Sequence, residues 1–295
     1  MNLLTRVQEL QDQLNIALKE HKSIGFVPTM GALHQGHLEL VKRSKKENDI
    51  TVCSIFVNPT QFNDPKDLEK YPRTLESDSE LLKSVDCDIV FAPAVKEMYS
   101  EAELELKFRK IEDKSWTKGK EVDFGQLDKV MEGAHRPGHF NGVAQVVSKL
   151  FRIVKPNRAY FGQKDFQQLA IIRSMTEQLG LPLEIIACPI VRETDGLAMS
   201  SRNTRLNPEE RKIAPLISQT LFKVKEKLAT HSFAELKEFA EKEIAKEPLM
   251  QLEYFEIADA GTLQPVTNRS QAKSAVACIA LKLGAVRLID NILLY

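Results

Sequence analysis

Apolar positions along the chain change their period several times, and each change marks an element. Leu3, Val7, Leu10, Leu14 and Leu18 recur at three- and four-residue spacing, which predicts an amphipathic opening helix. Residues 23–28 (SIGFVP) read as a short buried strand ending at a proline, 31–36 as a glycine-flanked loop and 37–46 as a helix. The β-branched run ITVCSIFV at 50–57 is apolar at consecutive positions, as a strand buried on both faces requires. A polar loop from Asn58 to Arg73 leads to a helix at 75–85 and a strand at 88–91. Beyond a polar stretch, Val143, Val146, Val147, Leu150 and Val154 share one face of a helix predicted over 139–154. Strand 158–161, helix 165–179 and strand 183–190 continue the alternation.

Strands alternating with helices of this size predict an α/β fold, a doubly wound parallel sheet covered on both faces. The pattern changes near Val191. Two charged helices, at about 208–229 and 232–246, precede strands near 251–258, 273–281 and 285–289, with turn signals at Ala260-Gly261 and Leu283-Gly284. The expectation is a first domain over 1–190 and a smaller α+β domain over 191–295.

Composition narrows the partners. Lys plus Arg equals Asp plus Glu at 41 each, a balance that argues against a nucleic-acid or anionic-membrane binder. Cys53, Cys87, Cys188 and Cys278 are dispersed without a CxxC pair, and three of them lie in strand-like runs. They read as buried thiols of a reducing compartment. The N-terminal residues MNLLTRVQELQDQL lack a signal-peptide apolar region, and no stretch is long enough to span a bilayer. A cytoplasmic location is expected.

The candidate chemistry lies at strand ends. Pro28-Thr29-Met30-Gly31-Ala32-Leu33-His34-Gln35-Gly36-His37 carries a strand through a glycine-flanked loop into a helix. Such a junction aims unpaired backbone N–H groups and a positive helix end at a phosphate. The Gly31 to Gly36 spacing mimics a P-loop, but His37 and Leu38 replace its Lys and Ser/Thr. His34 and His37 lie three apart and supply N–H donors. Two exposed turn histidines are the bland alternative, and zinc lacks a third ligand at suitable spacing in the sequence.

Gly162-Gln163-Lys164-Asp165 repeats the strand-to-helix pattern, and a cation at a helix start runs against the helix dipole unless it faces an anion. In the segment Arg192 to Asn203, Ser200, Ser201 and Arg202 offer hydroxyls and a planar cation; alone it reads as a polar linker. Asn58 and Gln61 follow the buried strand, where their amides suit a carboxylate or hydroxyl, or simply a turn. Asp78 is a candidate magnesium ligand, with a surface carboxylate as the default.

Together, PTMGALHQGH, FVNPTQF, YPRT, RPGHFNGV, YFGQKDFQQL, RETDGLAMSSRN and RLIDN resemble the pantothenate synthetase (pantoate–β-alanine ligase) family, in order, from about Ile24 to Asn291. That family resembles the nucleotidyl transferases and class I aminoacyl-tRNA synthetases. HQGH corresponds to the His-x-Gly-His motif, and MSSR to the mobile lysine-serine loop. The resemblance implies a Rossmann-like first domain, a second domain acting as a lid, a homodimer, and Mg-ATP, pantoate and β-alanine as substrates. It implies that Met30, Gly31, Ala32, Leu33, His34, Gln35, Gly36 and His37 bind ATP, with both histidines on the phosphates and His37 as proton donor. Gly162, Gln163, Lys164, Asp165, Val191, Met199, Ser200, Ser201 and Arg202 would complete the ATP site. Gln61 and Gln168 would hold pantoate, assisted by Asn58. His34, His37, Lys164 and Arg202 are then the catalytic set.

This chain departs from the family in carrying Ser77 before Asp78, where relatives often have paired acids. The competing readings are another nucleotidylyltransferase of the same superfamily and a non-catalytic nucleotide-binding module.

Overall fold

The computed structural model describes residues 1–62, 65–101, 103 and 122–295. Part of the polar stretch after the fourth strand, and Asn63-Asp64 of the polar loop, lie outside the described residues. The chain forms two compact units. The first comprises Met1–Phe124, Gly133–Gln163 and Gln168–Cys188; the second comprises Gly125–Glu132, Lys164–Gln167 and Pro189–Tyr295.

In the first unit, β1 (Asn2–Leu4), β2 (Ile24–Thr29), β3 (Ile50–Ile55), β4 (Ile89–Phe91), β5 (Arg158–Gly162) and β6 (Glu184–Cys188) form one sheet. Every pair in it is parallel, and the order is β1-β4-β3-β2-β5-β6. The helices are α1 (Val7–Lys19), α2 (Gln35–Glu47), α3 (Leu75–Lys83), α4 (His139–Val154) and α5 (Phe166–Leu179). Side chains alternate across β2. Val27 joins Leu38, Val41, Leu82 and Val90 in one layer, while Phe26 meets Phe151 of α4 edge-on at 6.3 Å. Leaving β2, the chain builds β3 and β4 on one side and later β5 and β6 on the other. The carboxyl ends of β2 and β5 therefore flank the topological switch point, where open α/β sheets bind ligands.

The second unit holds the antiparallel sheet β7 (Met250–Asp259), β8 (Ala275–Leu283) and β9 (Val286–Leu293), in that order. Helices α6 (Leu216–Lys227) and α7 (Phe233–Ile244) cover it. Ile217, Leu221, Leu236, Phe255, Ile279 and Leu281 are among the residues of its core.

Three local expectations change. The chain opens with β1, paired to β4, and α1 starts only at Val7 after an extended Arg6. Leu3 is exposed and belongs to no helical stripe; a three-residue edge strand is too short to carry a period. The helix expected over 208–229 is two helices, Pro208–Ile213 and Leu216–Lys227. They meet at Pro215, which lacks the N–H that a continuous helix would need. The polar loop after β3 contains a 3-10 turn, Pro59–Gln61, and a short helix, Pro65–Glu69.

Candidate active site

The loop after β2 turns through the left-handed region at Gly31 (φ 84°) and again at Ala32 (φ 50°). A non-glycine residue there costs on the order of 1–2 kcal/mol, so something must hold the loop. That anchor is Asp78, on the first turn of α3 and only 1% exposed. Its Oδ2 accepts from Ala32 N (3.0 Å), and its Oδ1 accepts from Leu33 N (2.8 Å) and Thr74 Oγ1 (3.2 Å). A Cβ at position 31 would stand 3.0 Å from Asp78 Oδ2 and 3.1 Å from the Ile55 side chain, so glycine also satisfies a close approach.

His34 is the N-cap of α2. Its Nδ1 accepts from Gly36 N at 3.2 Å, and Nδ1 of His37 accepts from His34 N at 3.3 Å. The rings lie 4.1 Å apart between centroids. Because each Nδ1 accepts, a neutral ring carries its proton on Nε2. Two imidazole donors are thus fixed in tautomer at the positive end of α2, beside the switch point.

After β3, Asn58 is 1% exposed and uses its whole amide. Its Nδ2 donates to Gln61 Oε1 (3.1 Å) and Gly142 O (3.2 Å); its Oδ1 accepts from Thr60 N, Thr60 Oγ1 and Tyr99 Oη. Asn58 shapes the turn that presents Gln61, whose Nε2 contacts Met30 Sδ at 2.9 Å. His139 closes the turn from α4: its Nδ1 donates to the Gln61 carbonyl at 2.8 Å. Gly142 lies one turn further along, where a Cβ would come within 2.4 Å of Thr60 O. Sequence reasoning missed His139, Gly142 and Tyr99 as supports of Gln61. The RPGHFNGV motif holds two of them, but their target is visible only in three dimensions.

Gly162 ends β5, and no described atom comes within 4 Å of a Cβ built there. Gln163 N donates to Cys188 O at 2.8 Å, tying the loop start to the end of β6. Gln168 is half-buried on the first turn of α5.

The remaining candidates belong to the second unit. The Lys164 carbonyl accepts from Asn291 Nδ2 at 2.8 Å, and Asp165 is exposed. Val191 O accepts from Met199 N at 3.0 Å, and Arg192 and Ala198 form an antiparallel bridge, so 191–199 is a tight return. Arg192 pairs with buried Asp290 through both terminal nitrogens, at 2.6 and 3.0 Å, and Asp195 pairs with Arg211 at 2.6 Å. Burial pushes the Asp290 carboxyl up, against the opposing pull of Arg192 and of the Lys164 charge. Ser200 caps the 3-10 turn Ser201–Arg205 by accepting from Arg202 N at 3.2 Å.

The Pantoate-beta-alanine ligase family description matches residues 2–293. The chain belongs to the pantoate–β-alanine ligase family. It is 54% identical over 292 residues to a protein of Bacteroides fragilis named Pantothenate synthetase, covering 99% of this chain and 98% of that one. A protein of the same name from Phocaeicola vulgatus is 55% identical over 293 residues, with 99% of each covered. Among solved structures, pantothenate synthetase of Thermus thermophilus superposes with a TM-score of 0.90 at 41% identity over the whole of both chains. The pantoate–β-alanine ligase of Francisella tularensis, solved with β-γ ATP and β-alanine, gives 0.77 at 35% identity, covering 100% of this chain and 98% of that one.

In this ligase-family chain all four cysteines are free and buried. Burial raises the Cys53 and Cys278 thiols well above their usual value and takes Cys87 to about 12. None is suited to be a nucleophile, because the reactive form is the thiolate. Among the described residues, no helix is long and apolar enough to cross a membrane.

Proposed function

We propose that the chain condenses pantoate with β-alanine to pantothenate in two steps on one nucleotide. A pantoate carboxylate oxygen attacks the α-phosphorus of ATP, and the bond to pyrophosphate breaks. The β-alanine amine then attacks the acyl carbon of the pantoyl adenylate. AMP leaves with the electron pair of the broken C–O bond, and the amine gives up a proton. A carboxylate alone is a poor acyl donor because its leaving oxygen is strongly basic, and adenylation replaces that oxygen with a good leaving group. The protein then has to align the reactants and stabilise phosphate charge.

The observation that carries this reading is the His34–His37 pair, locked with Nδ1 inward on backbone N–H groups at the start of α2. A neutral ring so held carries its proton on Nε2, and an Nε2–H donor suits a phosphate oxygen. Met30–His37, Gly162–Asp165, Val191 and Met199–Arg202 form the proposed ATP set, with Lys164 and Arg202 supplying positive charge. The open space at Gly162 suits close approach of a ligand to the backbone. Gln61 and Gln168 hold pantoate, while Asn58 acts through Gln61.

Asp78 does not fit the magnesium role. Its two oxygens accept three protein donors, and the residue is 1% exposed. We assign it the anchoring of the Gly31–Leu33 loop, and magnesium then arrives with the nucleotide, on its phosphates. A cytoplasmic homodimer completes the proposal, the dimer resting on the resemblance alone.

The test supplies ATP, magnesium and β-alanine with a panel of carboxylic acids. Pantoate should give one AMP and one pantothenate per ATP consumed. Formation of ADP, or equal turnover of unrelated acids, would reject the reading in favour of another nucleotide-using activity. No turnover of any acid, with ATP still bound, would favour a non-catalytic module.

A further inference from the structure

Strand β9 is tied to both ends of the segment Lys164–Gln167, which runs from the turn after β5 into the first two residues of α5. Residues two apart on a strand share a face, so Arg287 and Asn291 of β9 project on the same side. Asn291 is 3% exposed, and its Nδ2 donates to the Lys164 carbonyl at 2.8 Å. Arg287 forks onto Glu132, Nη1 to Oε2 at 2.8 Å and Nη2 to Oε1 at 2.7 Å; its Nε donates to Glu253 Oε2 at 2.8 Å. Tyr254 Oη donates to the same Glu132 carboxylate at 2.8 Å.

Glu132 passes the grip on. Its backbone N–H donates to Gln167 Oε1 at 2.9 Å, and Gln167 Nε2 donates to Leu127 O and Val130 O at 2.6 and 2.9 Å. The segment Lys164–Gln167 is therefore tied to β9 directly at its first residue and through Glu132 at its last. On the opposite face of β9, Asp290 holds Arg192. A site built on a strand is placed more sharply than one on a loop, and a bidentate arginine fork fixes angle as well as distance.

We propose that Asn291 and Arg287 are positioning residues for adenylation, setting the place of the Lys164 ammonium by fixing the main chain of its turn. This rests on the reading of Lys164 as a phosphate-charge donor. Neither residue needs to touch substrate. Losing either tie should leave the chain folded but let Lys164 wander, and displacements near 1 Å at a charge donor are enough to cost roughly 10²-fold in rate.

The experiment is a double-mutant cycle on the full chain, read as the single-turnover rate constant of adenylate formation. The burst amplitude counts competent sites, so partial unfolding lowers the amplitude and not the rate constant. Lys164→Ala should lower the rate constant by about 10²–10³-fold, as removal of one preorganised charge does. Asn291→Ala should lower it roughly 10–10²-fold. In the Lys164→Ala background, Asn291→Ala should cost less than about threefold more, because the two act through one group. Arg287→Lys, which keeps the charge but loses the fork, is the second arm if Asn291→Ala folds poorly, and it should behave the same way.

A slow Lys164→Ala enzyme combined with a normal rate constant in Asn291→Ala and Arg287→Lys overturns the positioning role alone. So does a double variant in which the two losses multiply. A near-normal Lys164→Ala rate overturns the reading of Lys164, and the proposal with it.

Discussion

The two imidazoles of His34 and His37 are visible in the sequence as an i, i+3 pair at a strand-to-helix turn. Their orientation is not, because it depends on which ring nitrogen caps the backbone. That division makes a prediction. His34→Asn keeps an N-cap acceptor, so thermal melting should show a Tm at or near that of the parent. Adenylation should nevertheless fall about 10²-fold, since the Nε2–H donor is lost; a normal rate would return His34 to a purely capping role. In the sequence Asp78 read as a candidate magnesium ligand or, by default, a surface carboxylate; in the structure it is buried and anchors a loop. Asp78→Ala strands the Ala32 and Leu33 N–H groups, at about 1–3 kcal/mol for each unsatisfied buried group. The expected result is a clear drop in Tm with an unchanged magnesium midpoint in the activity that remains. An unchanged Tm with a raised magnesium requirement would make Asp78 a metal ligand after all.

At the scale of elements, the apolar periods identified the sheet strands from β2 onward because buried parallel strands and one-sided helices imprint distinct repeats. Helix α4 spans His139–Val154, the range predicted from its valine stripe. What the periods missed was short or chemically interrupted: β1, with three residues, and the break at Pro215. They were also silent on how α4 meets the turn after β3. The contact there is backbone on backbone, with Gly142 against Thr60 O. Gly142→Ala must push the Asn58–Gln61 turn outward, since neither partner is a flexible side chain. Steady-state kinetics should show KM for pantoate raised about tenfold or more, with KM for ATP nearly constant. An equal rise in both constants would mean that Gln61 does not serve pantoate selectively.

For the molecule as a whole, charge balance argued against a nucleic-acid or anionic-membrane partner, the dispersed cysteines read as buried reduced thiols, and the seven ordered motifs then pointed to one ligase family. The buried thiols give a global test. Their thiolate fraction is suppressed by burial, so the native protein at pH 8 should react with a thiol reagent far more slowly than the denatured chain, which should titrate all four cysteines. Fast labelling of the native protein with loss of activity would contradict a thiol-free mechanism.

The central claim is that adenylation is complete before the amine arrives. Exchange of labelled pyrophosphate into ATP measures that step in isolation. The account predicts exchange that requires pantoate and magnesium and proceeds without β-alanine. Exchange that begins only when β-alanine is added would contradict it, because no free-standing pantoyl adenylate would then precede amide formation.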